Sequence, residues 1–234
     1  MGALAAALLL SGCNMNNTTK GGLIGGAGGG ALGAGLGAAI GALAGGSSGA
    51  KLGAAIGAGV GVAGGATAGV LIGKKMDKAK AAAQAVDNAQ VETVTDKNGL
   101  EAVKVSFDNG ILFKVGKSDL QAKAQASLRQ FANNVLNVYT DCDVAIYGFA
   151  SSDGSDAVNL TLSQNRANAV RGFLTNTCGV STSQIKSTTG YGEDPQYLVY
   201  DANGKEDVNA SRRVEVYLYA SEAMINAANA GTLK

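Results

Sequence analysis

The chain contains no histidine. That removes the commonest general base and a common metal ligand. No hydroxyl or thiol stands beside a credible base, and no two carboxylates sit at an informative spacing. An enzyme therefore has little to work with, and none is expected. The side chains best suited to covalent chemistry are Cys13, Cys142 and Cys178. Three scattered cysteines without histidine make a poor transition-metal site, so neither metal nor cofactor is expected. Gly73-Lys74 ends a Gly-rich tract in the manner of a phosphate loop. Lys75 follows where Ser or Thr would hold Mg²⁺, and no strand precedes it, so that motif is not supported. Lys and Arg number 19 against 18 Asp and Glu, and a net charge of +1 gives no footprint for nucleic acid.

Each cysteine has a reading. Residues 1–12 form an apolar run that closes on Leu10-Ser11-Gly12-Cys13. This pattern resembles a bacterial lipobox, in which the Cys becomes the lipidated first residue of the mature chain. A triacylated Cys13 would be stably anchored. The basic n-region is missing, so the start reads as truncated upstream, and an ordinary signal peptide is the alternative. Asn14 stands where an Asp would mark inner-membrane retention in enteric bacteria, so outer-membrane sorting is expected. An exported chain lives where disulfides persist. Cys142 opens a predicted strand and Cys178 follows the next predicted helix, which puts both at one end of the domain. A bridge between them would close about 35 residues and add roughly 3 kcal/mol. The alternative is two buried free thiols.

Thirteen glycines recur at every fourth position from Gly25 to Gly73, with Ala, Leu, Ile and Val between them and Lys51 as the only charge. In water each interior Gly costs a helix up to about 1 kcal/mol relative to Ala. In lipid the same spacing makes a bare stripe on which two helices pack closely. Gly45-Gly46-Ser47-Ser48-Gly49 reads as a turn. The arms on either side hold about 24 and about 22 residues, each long enough to cross roughly 30 Å of hydrocarbon. Lys20 precedes the pair, and Lys74, Lys75, Lys78 and Lys80 follow it, so positive charge flanks both open ends. Residues 13–20 are thus a lipidated tether and 21–73 a membrane hairpin. The pattern resembles the glycine-zipper segments of bacterial envelope lipoproteins. A flexible linker is the alternative, although a linker has no reason to keep period four.

The elements that follow belong to a water-soluble domain. Residues 74–90 read as a connecting helix. Val91–Thr95 and Leu100–Phe107 alternate around Asn98-Gly99, a hairpin signal. Ser118 is a plausible N-cap for a helix whose inner face is Leu120, Ala124, Leu128, Phe131, Val135 and Val138. A strand is expected over Asp143–Phe149 and a turn at Gly154. A helix is expected over Asp156–Asn176, with Leu162, Val170, Phe173 and Leu174 inward. Strands follow at Ile185–Tyr191 and at Arg213–Tyr219, the latter setting Val214, Val216 and Leu218 against Glu215, Tyr217 and Tyr219. From the second of these strands the order is β-α-β-α-β-β, an α+β fold with helices on one face of a mixed sheet. Residues 91–220 form the domain and 221–234 a C-terminal tail.

Gly148-Phe-Ala-Ser-Ser-Asp-Gly-Ser155, Asn159, Leu162-Ser163, Arg166-Ala167, Gly190-Tyr-Gly-Glu193 and Arg212-Arg-Val-Glu215 occur in that order. Together with Ile111-Leu-Phe113, Lys117-Ser118 and Leu120, they resemble the OmpA-like C-terminal domain over about residues 100–220. The resemblance implies a periplasmic, non-catalytic module that holds the diaminopimelate of the peptidoglycan stem peptide. The family's carboxylate-binding Arg falls on Arg166. Its Asp falls on Ser151 and its His on Phe149, so half of the usual pair is missing. Asp153 is the candidate substitute, with a turn residue beside Gly154 as the alternative. For Arg166 the alternative is a structural ion pair. Asn159 either donates to the ligand or ties loop to helix. Arg212 and Arg213 point to opposite faces, so one of them faces the site.

The expected protein is an outer-membrane lipoprotein that tethers the membrane to peptidoglycan. Its partners are the stem peptide and membrane lipid, with no nucleic acid. Two alternatives stand beside it. One is an OmpA-like domain that has lost diaminopimelate binding and serves as an envelope protein-interaction module. The other is a zipper that forms homo-oligomers in the membrane.

Overall fold

The computed structural model of the chain describes residues 65–95 and 101–233. The signal segment with Cys13, the tether, the zipper up to residue 64 and the Asn98-Gly99 turn lie outside the described residues. Among the described residues no helix is long and apolar enough to cross a membrane.

The domain is α+β. Helix α1 (Gly65–Gln84) leads into strands β1 (Ala89–Thr95) and β2 (Glu101–Asp108). A single helical turn, α2 (Asn109–Leu112), precedes α3 (Ala122–Phe131), β3 (Cys142–Phe149) and the long α4 (Asp156–Asn176). Then come β4 (Ile185–Gly190), the turn α5 (Val208–Ser211), β5 (Arg213–Ala220) and α6 (Glu222–Asn229). The sheet runs β1-β2-β5-β3-β4. Every neighbouring pair is antiparallel except β3 and β4. The two edges are thus β1 and β4, and β3 lies inside, buried along its whole length.

The alternation read in the last strand sets the two layers. Val214, Val216 and Leu218 join Val144, Ile146, Leu128, Phe131, Val170 and Leu174 in the main core. On the other face, Tyr217 joins Ala145, Tyr147 and Phe149 in a second cluster, with Tyr191, Tyr197 and Tyr219 packed against it. The loop after β4 supplies two of those rings, so this face of the sheet is covered as well.

Helix α4 presses on the sheet at two glycines. A Cβ at Gly148 would run into the Ser163 carbonyl, and one at Gly190 into the Gln164 backbone. Only residues without a side chain admit so close an approach. Backbone amides of the β4 end then bond to the helix: Gly190 N donates to Gln164 Oε1 and Gly192 N to Ser163 Oγ, each at 2.9 Å. This docking holds the N-terminal half of α4 at the carboxyl end of β3.

Several expectations are corrected. The N-cap of α3 is Gln121, not Ser118. Leu120 is drawn into a bridge with Phe113, and Gln121 N donates to Leu112 O, so the chain turns helical only at Ala122. Val138 is 60% exposed, not inward. The helix continues through a wide π-type turn, Ala132–Leu136, closed by Asn137 N donating to Ala132 O. That turn shifts the helical phase, so Val135 stays buried while Val138 rotates out.

The expected connecting helix is displaced toward the N-terminus. It runs from Gly65 and stops at Gln84, before Asn88 adopts a left-handed backbone with φ 60° and β1 begins. The stretch 221–234 carries α6, capped by Ser221, whose Oγ accepts from Met224 N at 3.1 Å. Met76, Ala79 and Ala83 of α1 and Met224, Ile225 and Ala228 of α6 are all buried where the two helices pack together.

The Cys142–Cys178 bridge is not formed, and both are free thiols. They do share one end of the domain. Asn137, shortly before β3, donates to the Cys178 carbonyl at 3.0 Å. Cys142 is buried in the main core and Cys178 packs against that core. Burial, together with Asp141, pushes the Cys142 thiol up to about 12, so it stays protonated and chemically quiet.

Candidate functional site

The site lies where β3 ends. The chain leaves Phe149, passes through 150–155 and enters α4 at Asp156. Ser151 is 1% exposed. Its carbonyl and that of Asp153 accept from Asn159 Nδ2, at 3.1 and 3.0 Å. The same amide also donates to Glu193, from the loop after β4. Asn159 therefore ties three segments together. On the outer side Glu206 accepts from the Ser152 amide at 3.2 Å and from the Ser152 hydroxyl. Burial raises the Glu206 carboxyl, and the Ser152 and Ser211 donors outweigh that and leave it below its ordinary value.

Arg166 sits on α4, two turns in from Asn159. It is 3% exposed, and its Nε donates to the Lys117 carbonyl at 3.1 Å. Its guanidinium carbon stands 5.4 Å from the centre of the Phe113 ring, a cation–π contact. Among the described residues it forms no ion pair and its terminal nitrogens carry no hydrogen bond. Burial, reinforced by the nearby Arg212, lowers its pKa to about 10. It therefore remains a cation at neutral pH.

The pair Arg212 and Arg213 divides as strand geometry requires. Arg212 faces the site: its Nε donates to Ser151 Oγ at 2.9 Å and its Nη2 meets Asp153 Oδ2 at 2.6 Å. Arg213 faces the aromatic layer, with Nε on Glu215 at 2.7 Å and its guanidinium carbon 4.2 Å from the Phe149 ring centre.

The structure thus gathers Ser151, Asp153 and Asn159 into one network and places Arg166 beside it. Asp153 is joined to Arg212. Sequence reasoning left the direction of Arg212 open and gave no role to Glu193 or Phe113 beyond their motifs. It passed over Glu206 altogether. Nothing in the spacing marks Glu206, because the loop that brings it to Ser152 has no periodicity. In chemical terms the arrangement is a buried guanidinium beside a loop, without a counter-ion among the described residues, and such a group can take a carboxylate in two-point contact.

Residues 112–213 match the family model described as the OmpA family. The chain is 33% identical over 129 residues to outer membrane porin F of Pseudomonas aeruginosa, covering 53% of this chain and 35% of that protein. It is 34% identical over 99 residues to the peptidoglycan-associated lipoprotein of Brucella melitensis, covering 42% of this chain and 57% of that protein. The chain spans about a third of porin F, at 35%, and 24% of outer membrane protein P5 of Haemophilus influenzae. Among solved structures, a MotB-like protein from Desulfovibrio vulgaris superposes with a TM-score of 0.50 at 20% identity, over 64% of this chain and 94% of that one. That likeness concerns the fold.

Proposed function

We propose that this protein is an outer-membrane lipoprotein that ties the membrane to the cell wall by non-covalent binding of the peptidoglycan stem peptide, without catalysis. Lipid on Cys13 and the glycine zipper hold the membrane side. The OmpA-like domain stands in the periplasm and holds the wall through Arg166, with Ser151, Asp153 and Asn159 shaping the loop around it. The observation that supports this reading is the buried guanidinium of Arg166, which has no counter-ion among the described residues. A buried cation without a counter-ion is costly, and a ligand carboxylate is the group that relieves the cost. Anchoring one end in lipid raises the effective concentration of the other at the wall, so even weak binding suffices.

The test is co-sedimentation of the full-length chain with purified peptidoglycan. Wild type is expected in the pellet and Arg166→Ala in the supernatant, with both folded by circular dichroism. Wild type left in the supernatant would reject wall binding and favour the envelope protein-interaction module.

A further inference from the structure

A cavity of about 450 Å³ opens at the other end of β3, where β3 and β4 begin and β5 ends. The eight residues of β3 put on the order of 25 Å between it and the loop past Phe149. A volume of that size suits a small ligand or one side chain of a partner.

Gln184 lines this cavity and is 5% exposed. Its Nε2 donates to the Leu136 carbonyl at 3.2 Å and to the Tyr139 carbonyl at 3.1 Å. Only the nitrogen of the amide can meet two carbonyls, so its orientation is fixed. Its Oε1 is buried and accepts from nothing among the described residues. The two arms of a planar amide diverge, which turns Oε1 from those carbonyls toward the cavity. The nearby hydroxyls are taken: Ser183 is bonded to Ser181 at 2.8 Å, and Ser221 caps α6. A buried acceptor left open costs free energy until a donor arrives.

The charges around the cavity decide which donor. Asp141 pairs with Lys75 of α1 at 2.5 Å, and Asp143 with Lys186 at 3.6 Å. Those two pairs cancel. Glu222, exposed in the first turn of α6, has no ion pair among the described residues. The helix end favours its charged form. Burial raises the Asp143 carboxyl and Glu222 adds to that rise, with Lys186 opposing both, so the two carboxylates are neighbours. The cavity is left with one uncompensated carboxylate and one open amide oxygen. Both accept hydrogen bonds, and a compact cation with several N–H donors can serve both.

We infer that this cavity binds a primary ammonium group, which donates to Gln184 Oε1 and takes Glu222 as its counter-charge. The site is separate from the one at Arg166 and does not depend on wall binding. The ammonium is carried either by a lysine side chain of another protein or by a free amine.

The test follows the Gln184 side-chain amide by nuclear magnetic resonance in the full-length chain, held in detergent micelles. Three probes are titrated: acetyl-Gly-Lys-Gly-amide, the same peptide with norleucine in place of lysine, and n-butylammonium. The lysine peptide is expected to shift the Gln184 amide to saturation. The norleucine peptide is expected to bind at least about tenfold more weakly, the scale of a charge-assisted hydrogen bond. Butylammonium that matches the lysine peptide assigns the site to a free amine. A peptide at least about tenfold tighter than butylammonium assigns it to a protein side chain.

Glu222→Gln, at an exposed position, is expected to weaken the lysine peptide by about threefold to fivefold. Arg166→Met is expected to leave the titration as it is, which separates this site from wall binding. Equal binding of the lysine and norleucine peptides, or an unchanged affinity in Glu222→Gln, overturns the inference. So does the absence of any shift at Gln184 with both amines, which would mean that solvent alone meets Oε1.

Discussion

Two arginines on opposite sides of the sheet, Arg166 buried and Arg213 half-buried, end in opposite conditions. Arg213, in the aromatic layer, has Glu215 at 2.7 Å, the Tyr197 carbonyl at 3.1 Å and the Phe149 ring beneath it. Arg166, beside the loop, has one carbonyl, one ring and, among the described residues, no carboxylate. Both guanidiniums have given up much of their water, Arg166 nearly all of it. Only Arg213 has been repaid within the fold. A fully partnered charge is part of the structure, and a partly partnered one beside a loop is where we propose that a ligand completes the set.

The sharpest way to break this contrast is Glu215→Ala. It leaves Arg213 buried without its counter-ion and also strips Tyr217 Oη of its acceptor at 2.6 Å. The expected loss is about 3–5 kcal/mol in urea unfolding. A loss below about 1 kcal/mol would mean that Arg213 escapes to solvent and that the two sides do not differ.

Next in size is Met76→Ala, which acts on neither arginine. Met76 is 2% exposed in the contact of α1 with the core. The expected cost is about 2–4 kcal/mol, with wall binding kept in the fraction that stays folded. A neutral result would make α1 an appendage and not part of the domain. By the same reasoning, a fragment without α1 lacks a wall of its own core.

The smallest expected change in stability comes from Arg166→Met, and its sign is what matters. Removing an unpaired buried cation in favour of an apolar chain is expected to leave stability within about 1 kcal/mol or raise it, while wall co-sedimentation is lost. The pH dependence follows from the depressed pKa. The folded protein releases the Arg166 proton near pH 10, and the unfolded chain holds it to a higher pH. The unfolded state therefore binds more protons in that window, and Arg166 makes wild-type stability rise with pH relative to Arg166→Met. A difference between the two that is flat or falls from pH 10 to 12 would show that the guanidinium is not desolvated.

Much of the architecture was readable along the chain. The run from Asp156 to Asn176 is a helix with those bounds, because its ends are marked by a turn glycine and a change in pattern. The strict alternation from Val214 to Tyr219 identified β5. Failures occur where a contact across the fold overrides a local signal. Ser118 has the right chemistry for a cap, but the Phe113–Leu120 bridge holds the chain extended past it. Val138 follows the helical period until the π-type turn breaks that period. The last residues looked like a tail because Glu222–Asn229 is short, and a short helix is stable only when it has a surface to pack on. That surface is α1, which lies far away in sequence.

The sequence by itself determined the classes of group available: no histidine, an arginine at 166, a serine at 151 and an acid at 153. It also determined that they would gather near the end of one strand, since periodicity and turn chemistry act over a few residues and survive without knowledge of the rest. Only the tertiary structure decided which charges meet. Arg212 turned to Asp153 and Arg213 to Glu215, although the two arginines are adjacent in the chain. Whether a carboxylate is free or already matched is set by groups that come from other strands and loops. Their distances are consequences of the whole fold, which no local stretch of sequence encodes.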